Sequence, residues 1–143
     1  MMIRAMAVSK SYGNKGTAFT IFMNYEKYRW TRSVYCDRIT SNVAEIKAVE
    51  YILLSIAPEF YKDEINININ GRYAVLMLNK KDGEWAFDPR QNTDLINSIR
   101  ELIEKFKNLT ITSSFEDNTF KNLIKMNEEA VWSKNGVFER ITK

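Results

Sequence analysis

The chain has no histidine and a single cysteine, Cys36. The missing histidine removes Ser-His and Cys-His catalysis, imidazole proton shuttling and most zinc sites. A lone cysteine excludes an internal disulfide and any CxxC metal site, so a reducing, cytoplasmic setting is the expectation. Neither a GxGxxG nor a GxxxxGK phosphate loop occurs. Any catalysis would have to rest on carboxylates or a lysine. No apolar run approaches the roughly 18 residues of a membrane span. The opening stretch from Met1 to Val8 is too short in apolar length for a secretory signal and reads as a buried first strand. Repeats, low-complexity tracts and Pro- or Ser-rich linkers are absent. The only prolines, Pro58 and Pro89, sit where elements should end.

What remains is ordinary globular material: 143 residues, 45% hydrophobic and 27% charged, enough for one domain with a real core. The net charge of +3 conceals an asymmetry. Arg4, Lys10, Lys15, Lys27, Arg29, Arg32 and Arg38 face only Glu26 and Asp37 in the first forty residues, and the remainder is slightly acidic. A basic half favours polyanionic partners.

Period-two patterns predict strands over 3–9, 17–24 and 28–36, with a turn at Tyr12-Gly13-Asn14-Lys15-Gly16. The period then changes. Thr40, Ser41 and Asn42 are all N-cap types, and Ile46, Val49, Leu53 and Ile56 recur at helical spacing up to Pro58. Residues 64–70 alternate Ile and Asn, which is a strand ended by Asn70-Gly71. Residues 72–88 leave two options, a short helix from Tyr73 to Leu78 or a hairpin turning at Asp82-Gly83. Thr93 opens an amphipathic helix with Leu95, Ile96, Ile99, Leu102, Ile103 and Phe106 on one stripe. A short strand at 109–112 and a helix carrying Phe120, Leu123, Ile124, Asn127 and Val131 follow. A small hairpin around Asn135-Gly136 is expected in the tail. The three leading strands should form an antiparallel meander, which later strands join in parallel through helical crossovers.

This order, with several local motifs, resembles ribonuclease H. Gly13-Asn14-Lys15-Gly16 looks like the family's GNPG turn. Thr40-Ser41-Asn42-Val43-Ala44-Glu45-Ile46 is similar to its T-N-N-x-x-E-L helix start. Ile69-Asn70-Gly71-Arg72-Tyr73 stands where the family has D-S-x-Y, Asn92-Thr93-Asp94-Leu95 matches N-x-D-L, and Asn118 to Asn122 parallels N-x-x-x-D. The resemblance implies an α/β domain over residues 1–132, with a tail at 133–143. Its sheet would be a mixed five-stranded one, three antiparallel strands then parallel strands, with helices on both faces.

The family holds two magnesium ions with four carboxylates. Carried over residue by residue, the first-strand acid falls at Val8, or at Ser9 with a slip of one. The helix acid is Glu45, the fourth-strand acid falls at Asn70, and the last-helix acid at Asn122. The family's mobile-loop histidine would lie near 113–116, and there is none. One acid of four remains, so the resemblance implies a degenerate site with no metal or cofactor. Glu45 is then expected to be hydrogen-bonded by Asn70 or Asn122.

Each residue also has a plainer explanation. Glu45 fits a capping box with Asn42, Asn70 fits the turn before Gly71, and Asn122 fits a helix surface. The leading functional expectation is a catalytically inactive nucleic-acid-binding module for RNA, DNA or RNA/DNA hybrid. Lys10, Lys15, Thr40 and Asn42 would grip backbone, and the basic-aromatic strand with Arg29, Trp30 and Arg32 would add a surface. That strand is equally explained as a charged edge. Two alternatives stand beside it: a protein-interaction or homo-oligomeric scaffold contacting partners through an exposed Trp30 region, or a diverged nuclease. The nuclease would use Mg²⁺ or Mn²⁺ on Asp37, Glu64, Asp88 or Asp117. The Asn, Ile and Lys richness suggests an AT-rich source such as a phage or mobile element.

Overall fold

The computed structural model describes residues 2–36, 39–114, 118–133 and 137–142, the last segment and Thr119 as backbone only. β1 (Met2–Ser11), β2 (Thr17–Tyr25) and β3 (Tyr28–Tyr35) form the antiparallel meander, with Ile3 opposite Tyr25 and Phe19 opposite Val34. The β1–β2 connection requires glycine at position 16. Its φ is 111°, and a Cβ there would collide with the Tyr35 ring.

α1 (Ser41–Leu54) starts at Thr40, whose Oγ1 accepts from the Val43 N–H at 3.2 Å. That places Val43, not Glu45, at the third helical position, so the capping-box explanation of Glu45 does not apply. α1 leads to β4 (Glu64–Ile69), parallel to β1, and α3 (Thr93–Ile103) leads to β7 (Asn108–Ser113), parallel to β4. The expected five strands thus stand in the order β7-β4-β1-β2-β3. A sixth, β8 (Val137–Thr142), lies antiparallel along the outer side of β3, from Arg29 opposite Thr142 to Val34 opposite Val137. β3 is therefore not an edge strand. The hairpin expected at Asn135-Gly136 falls outside the described residues.

Residues 72–88 contain both of the anticipated features in succession. α2 (Tyr73–Met77) comes first, then β5 (Lys80–Lys81) and β6 (Glu84–Trp85), turning at Asp82 (φ 55°) and Gly83 (φ 83°). Two left-handed residues in succession are what a tight hairpin requires. Arg100 of α3 fastens this region: Nε donates to the Met77 carbonyl at 3.0 Å, Nη2 donates to the Phe87 carbonyl at 2.6 Å, and the guanidinium lies over the Trp85 ring.

The main core lies between one sheet face and α1, α2 and α3. Ile3, Ala5 and Ala7 of β1, Phe19 and Ile21 of β2, and Ile65, Ile67 and Ile69 of β4 meet Ile46, Val49, Ile52, Ile96 and Ile99. Each fully buried Ile contributes about 1.5–3 kcal/mol. α4 (Asn118–Ser133) covers part of the other face through two small clusters, Val8 with Phe120 and Leu123, and Ala18 with Ala130 and Val131. Between them a polar contact fixes the helix: the Thr20 hydroxyl donates to Asn127 Oδ1 at 3.0 Å and shares a 2.7 Å hydrogen bond with Ser33. All three residues are fully buried.

A hydroxyl stripped of its acceptor in that setting costs about 1–3 kcal/mol. Asn127→Ala is accordingly expected to lower unfolding stability by that amount, read as a drop in the urea midpoint at unchanged m-value.

Candidate functional site

The site anticipated from the family resemblance lies at the upper ends of β1 and β4, where the parallel ladder finishes. Ala7 is opposite Ile69, and the Asn70 N–H donates to the Ala7 carbonyl at 3.2 Å. The Asn70 side chain then continues the ladder by one step. Its Oδ1 accepts from the Ser9 N–H at 3.1 Å and its Nδ2 donates to the Ser9 carbonyl at 3.4 Å. An amide imitates a peptide unit here, using both a donor and an acceptor. A carboxylate at the same place would keep the first bond and set a negative oxygen against the Ser9 carbonyl.

Glu45 comes down from α1 onto the start of α2. It is 8% exposed, and Oε1 accepts from the Ala74 N–H at 3.3 Å. The neighbouring Tyr73 N–H also favours the charged carboxyl. α2 has no side-chain cap of its own, so Glu45 satisfies an N–H group that would otherwise be orphaned. The carboxyl also rests directly on Gly71, where any Cβ would overlap it. A side chain at position 71 would displace the Glu45 carboxyl from this seat. Burial raises the Glu45 pKa above the ordinary carboxylate range, and the backbone N–H groups of Ala74 and Tyr73 pull it part of the way back.

The other two positions lead elsewhere. Val8 faces α4 and is buried with Phe120 and Leu123. Ser9, one residue on, is buried on the α1 side by strand alternation, and its Oγ has no partner among the described residues. Asn122 is on the exposed side of α4, across the sheet from Glu45. The hydrogen bond expected from Asn70 or Asn122 to Glu45 is not formed. Asn70 is occupied by Ser9, and Glu45 is turned to the α2 backbone instead. Among the described residues, no three His, Cys, Asp or Glu side chains converge on a point. Of the alternative acids, Glu64 is exposed at the opposite end of β4 and Asp88 is exposed beyond β6. Asp37 and Asp117 lie outside the described residues.

Lys10, Lys15, Thr40 and Asn42 are all exposed at the end of the sheet where the β1–β2 turn meets the start of α1. The Thr17 hydroxyl ties the two together by donating to the Ile39 carbonyl at 2.5 Å. Lys10 Nζ lies 5.3 Å from the Tyr12 ring centre and Lys15 Nζ 5.2 Å from that of Trp132. The basic-aromatic strand divides between faces. Arg29 is exposed on the α4 side, whereas Trp30 and Arg32 face α1. Trp30 is half-buried against the main core, and the Arg32 guanidinium lies over Tyr51. The exposed Trp30 contact surface is corrected accordingly: Trp30 is opposite core-facing Met23, and strand alternation commits it to the same side.

No protein-family model matches this sequence, and no curated protein matches it. Solved structures do. LC11-RNase H1 in complex with an RNA/DNA hybrid aligns at TM-score 0.71 and 18% identity, over 92% of this chain and 98% of that one. LC9-RNase H1, a type 1 RNase H with the type 2 active-site motif, aligns at TM-score 0.73 and 12% identity, over 97% and 77%. A second structure of LC11-RNase H1, isolated from compost by a metagenomic approach, gives TM-score 0.68 and 16% identity, over 92% and 96%. The chain has the ribonuclease H-like fold.

Two substitutions test the local chemistry. Asn70→Asp should destabilise the protein by about 1–3 kcal/mol at neutral pH. The loss should shrink in acid, where a protonated Asp can again donate to Ser9; urea midpoints across pH measure this. For Glu45, a folded-state pKa above the unfolded value means the native form binds the extra proton. Its contribution favours folding in acid and is lost as pH rises through the raised value. Glu45→Gln should therefore exceed the wild type in stability at neutral pH, and the advantage should vanish below about pH 4.

Proposed function

We propose that this chain is a catalytically inactive ribonuclease H-like domain that binds nucleic acid through backbone phosphates. The observation that carries the first half is the use already made of the site's polar groups. Two divalent cations about 4 Å apart need clustered negative charge to offset their repulsion. Here the single carboxyl is buried against the α2 backbone, the Asn70 amide is consumed by Ser9, and Val8 sits in an apolar cluster. Mg²⁺ takes hard oxygen ligands, chiefly carboxylate and water. This donor set does not fit a metal pair.

Several features support the nucleic-acid half. LC11-RNase H1 shares the fold and has been solved with an RNA/DNA hybrid. In this chain Lys10 and Lys15 are exposed on the α4 side of the β1–β2 turn, over the Tyr12 and Trp132 rings, and Thr40 and Asn42 stand exposed at the first turn of α1. Exposed cationic side chains and an exposed helix N-terminus each suit phosphate oxygens. RNA, DNA and hybrid all present such a backbone, so sequence preference should be weak.

Fluorescence anisotropy with labelled hybrid, duplex and single strands tests this reading. Binding should weaken steeply with salt, and Lys10→Glu/Lys15→Glu should lower affinity about tenfold or more. Incubation with Mg²⁺ or Mn²⁺ should leave the hybrid intact. The reading fails if no nucleic acid binds at low salt, or if metal-dependent cleavage appears and disappears with Glu45→Gln.

A further inference from the structure

The sheet face that α4 leaves uncovered has an unusual surface. Strand register aligns Thr110, Asn66, Arg4, Asn24 and Arg29 in one row across five strands. The adjoining row holds Thr112, Asn68, Met6, Phe22 and Thr31. α4 packs over the next positions, Val8 and Thr20; in the adjoining row Met6 and Phe22 are partly buried against its Val8–Phe120–Leu123 cluster and Thr31 is buried, so the row through Arg4 is the more open of the two. Arg4, Arg29, Thr110 and Thr112 are exposed, and Asn24, Asn66, Asn68 and Phe22 are half-buried. A shallow cavity of about 360 Å³ is lined by Arg4, Met6, Phe22, Asn24, Asn66 and Asn68. This explains the Ile/Asn alternation of β4: the isoleucines enter the main core, and the asparagines line an uncovered face.

We propose that this open face is a platform for single-stranded nucleic acid, an inference that rests on the nucleic-acid reading above but assigns a different surface. Three arguments select this occupant. Arg4 and Arg29 flank Asn24, and neither row contains an acid, so the charge complements a phosphate backbone. The nearest acid along β4, Glu64, lies one row further out, opposite Met2. Asn24, Asn66 and Asn68 carry donors and acceptors able to meet base edges; two are engaged only at long range, Asn66 Nδ2 with the Met2 sulfur and Asn68 Oδ1 with the Thr112 hydroxyl, each at 3.5 Å. Phe22, half-buried against the Val8 cluster, lines the cavity and leaves part of its ring as a surface on which a base can stack. Five strands span about 19 Å, room for the two or three bases that sheet-based RNA readers hold. A duplex keeps its base edges paired and stacked, so only a single strand uses all three features. A second copy stacked face to face would bury two arginines and three amides with no acid in the rows to pair them.

Anisotropy with a labelled mixed-sequence 12-mer RNA, alongside a hybrid of equal length, tests the proposal. Circular dichroism confirms that each variant is folded. Arg4→Glu/Arg29→Glu should reduce single-strand affinity at least tenfold and flatten its salt dependence. The uncharged change Asn24→Ala/Asn66→Ala should reduce it about threefold with the salt slope unchanged. Lys62→Glu/Lys107→Glu, the same charge change at exposed positions outside both rows, should have less than a threefold effect. Ultraviolet crosslinking should mark the peptide containing Phe22. If Lys10→Glu/Lys15→Glu abolishes binding while both open-face variants bind like the wild type, the nucleic-acid reading survives and this inference falls. If the wild type binds neither strand nor hybrid, both fall. A dimer in sedimentation velocity that Arg4→Glu/Arg29→Glu converts to monomer, without nucleic-acid binding, would assign the face to self-association instead.

Discussion

The parallel register that sets Ala7 opposite Ile69 governs everything at the upper end of the sheet. It brings Asn70 level with the Ser9 peptide and leaves Gly71 bare beneath α1. The Glu45 carboxyl can then descend onto Gly71 and reach the Ala74 N–H group. A slip of one residue would reverse the faces of β4, moving its isoleucines out of the core and its asparagines in. The buried isoleucines therefore hold the polar arrangement in place.

Much of this architecture was legible in the sequence. Alternation and helical spacing are local signals, and they mark the meander, the Thr40 cap and the amphipathic stripe of α3. The limits of the reading are equally physical. Whether a strand residue points to a covered or an open face depends on partners far along the chain. The basic stretch Arg29-Trp30-Thr31-Arg32 marks Trp30 as a surface residue, yet its position opposite Met23 turns it inward. Glu45 stands out in the sequence as the lone acid at the family positions, but its partner is the backbone of a five-residue helix. Main-chain N–H groups leave no mark in a sequence. The Asn70 bonds to the Ser9 peptide were invisible for the same reason. The asparagines of β4 do carry such a signal: alternating with isoleucines, they are awkward for a strand covered on both sides and indicate that one side is open.

The two sheet faces are built on different physics. The α1 side is a continuous aliphatic core. The α4 side combines two small apolar patches with the buried Thr20, Ser33 and Asn127 group, then gives way to amides and arginines. Hydrophobic burial is non-directional, whereas a hydrogen-bonded group between helix and sheet accepts few orientations. The first face supplies most of the stability, and the second sets where α4 stops and the open surface begins.

The pairing of β8 with β3 has a consequence for how the molecule is made. The two strands are separated by about a hundred residues, a contact of high sequence separation and correspondingly slow closure. During synthesis, the backbone donors and acceptors along the outer side of β3 wait for a partner until the ribosome has released residues 137–142. An exposed charge such as Arg29 on an unpaired strand disfavours edge-to-edge pairing with a second copy.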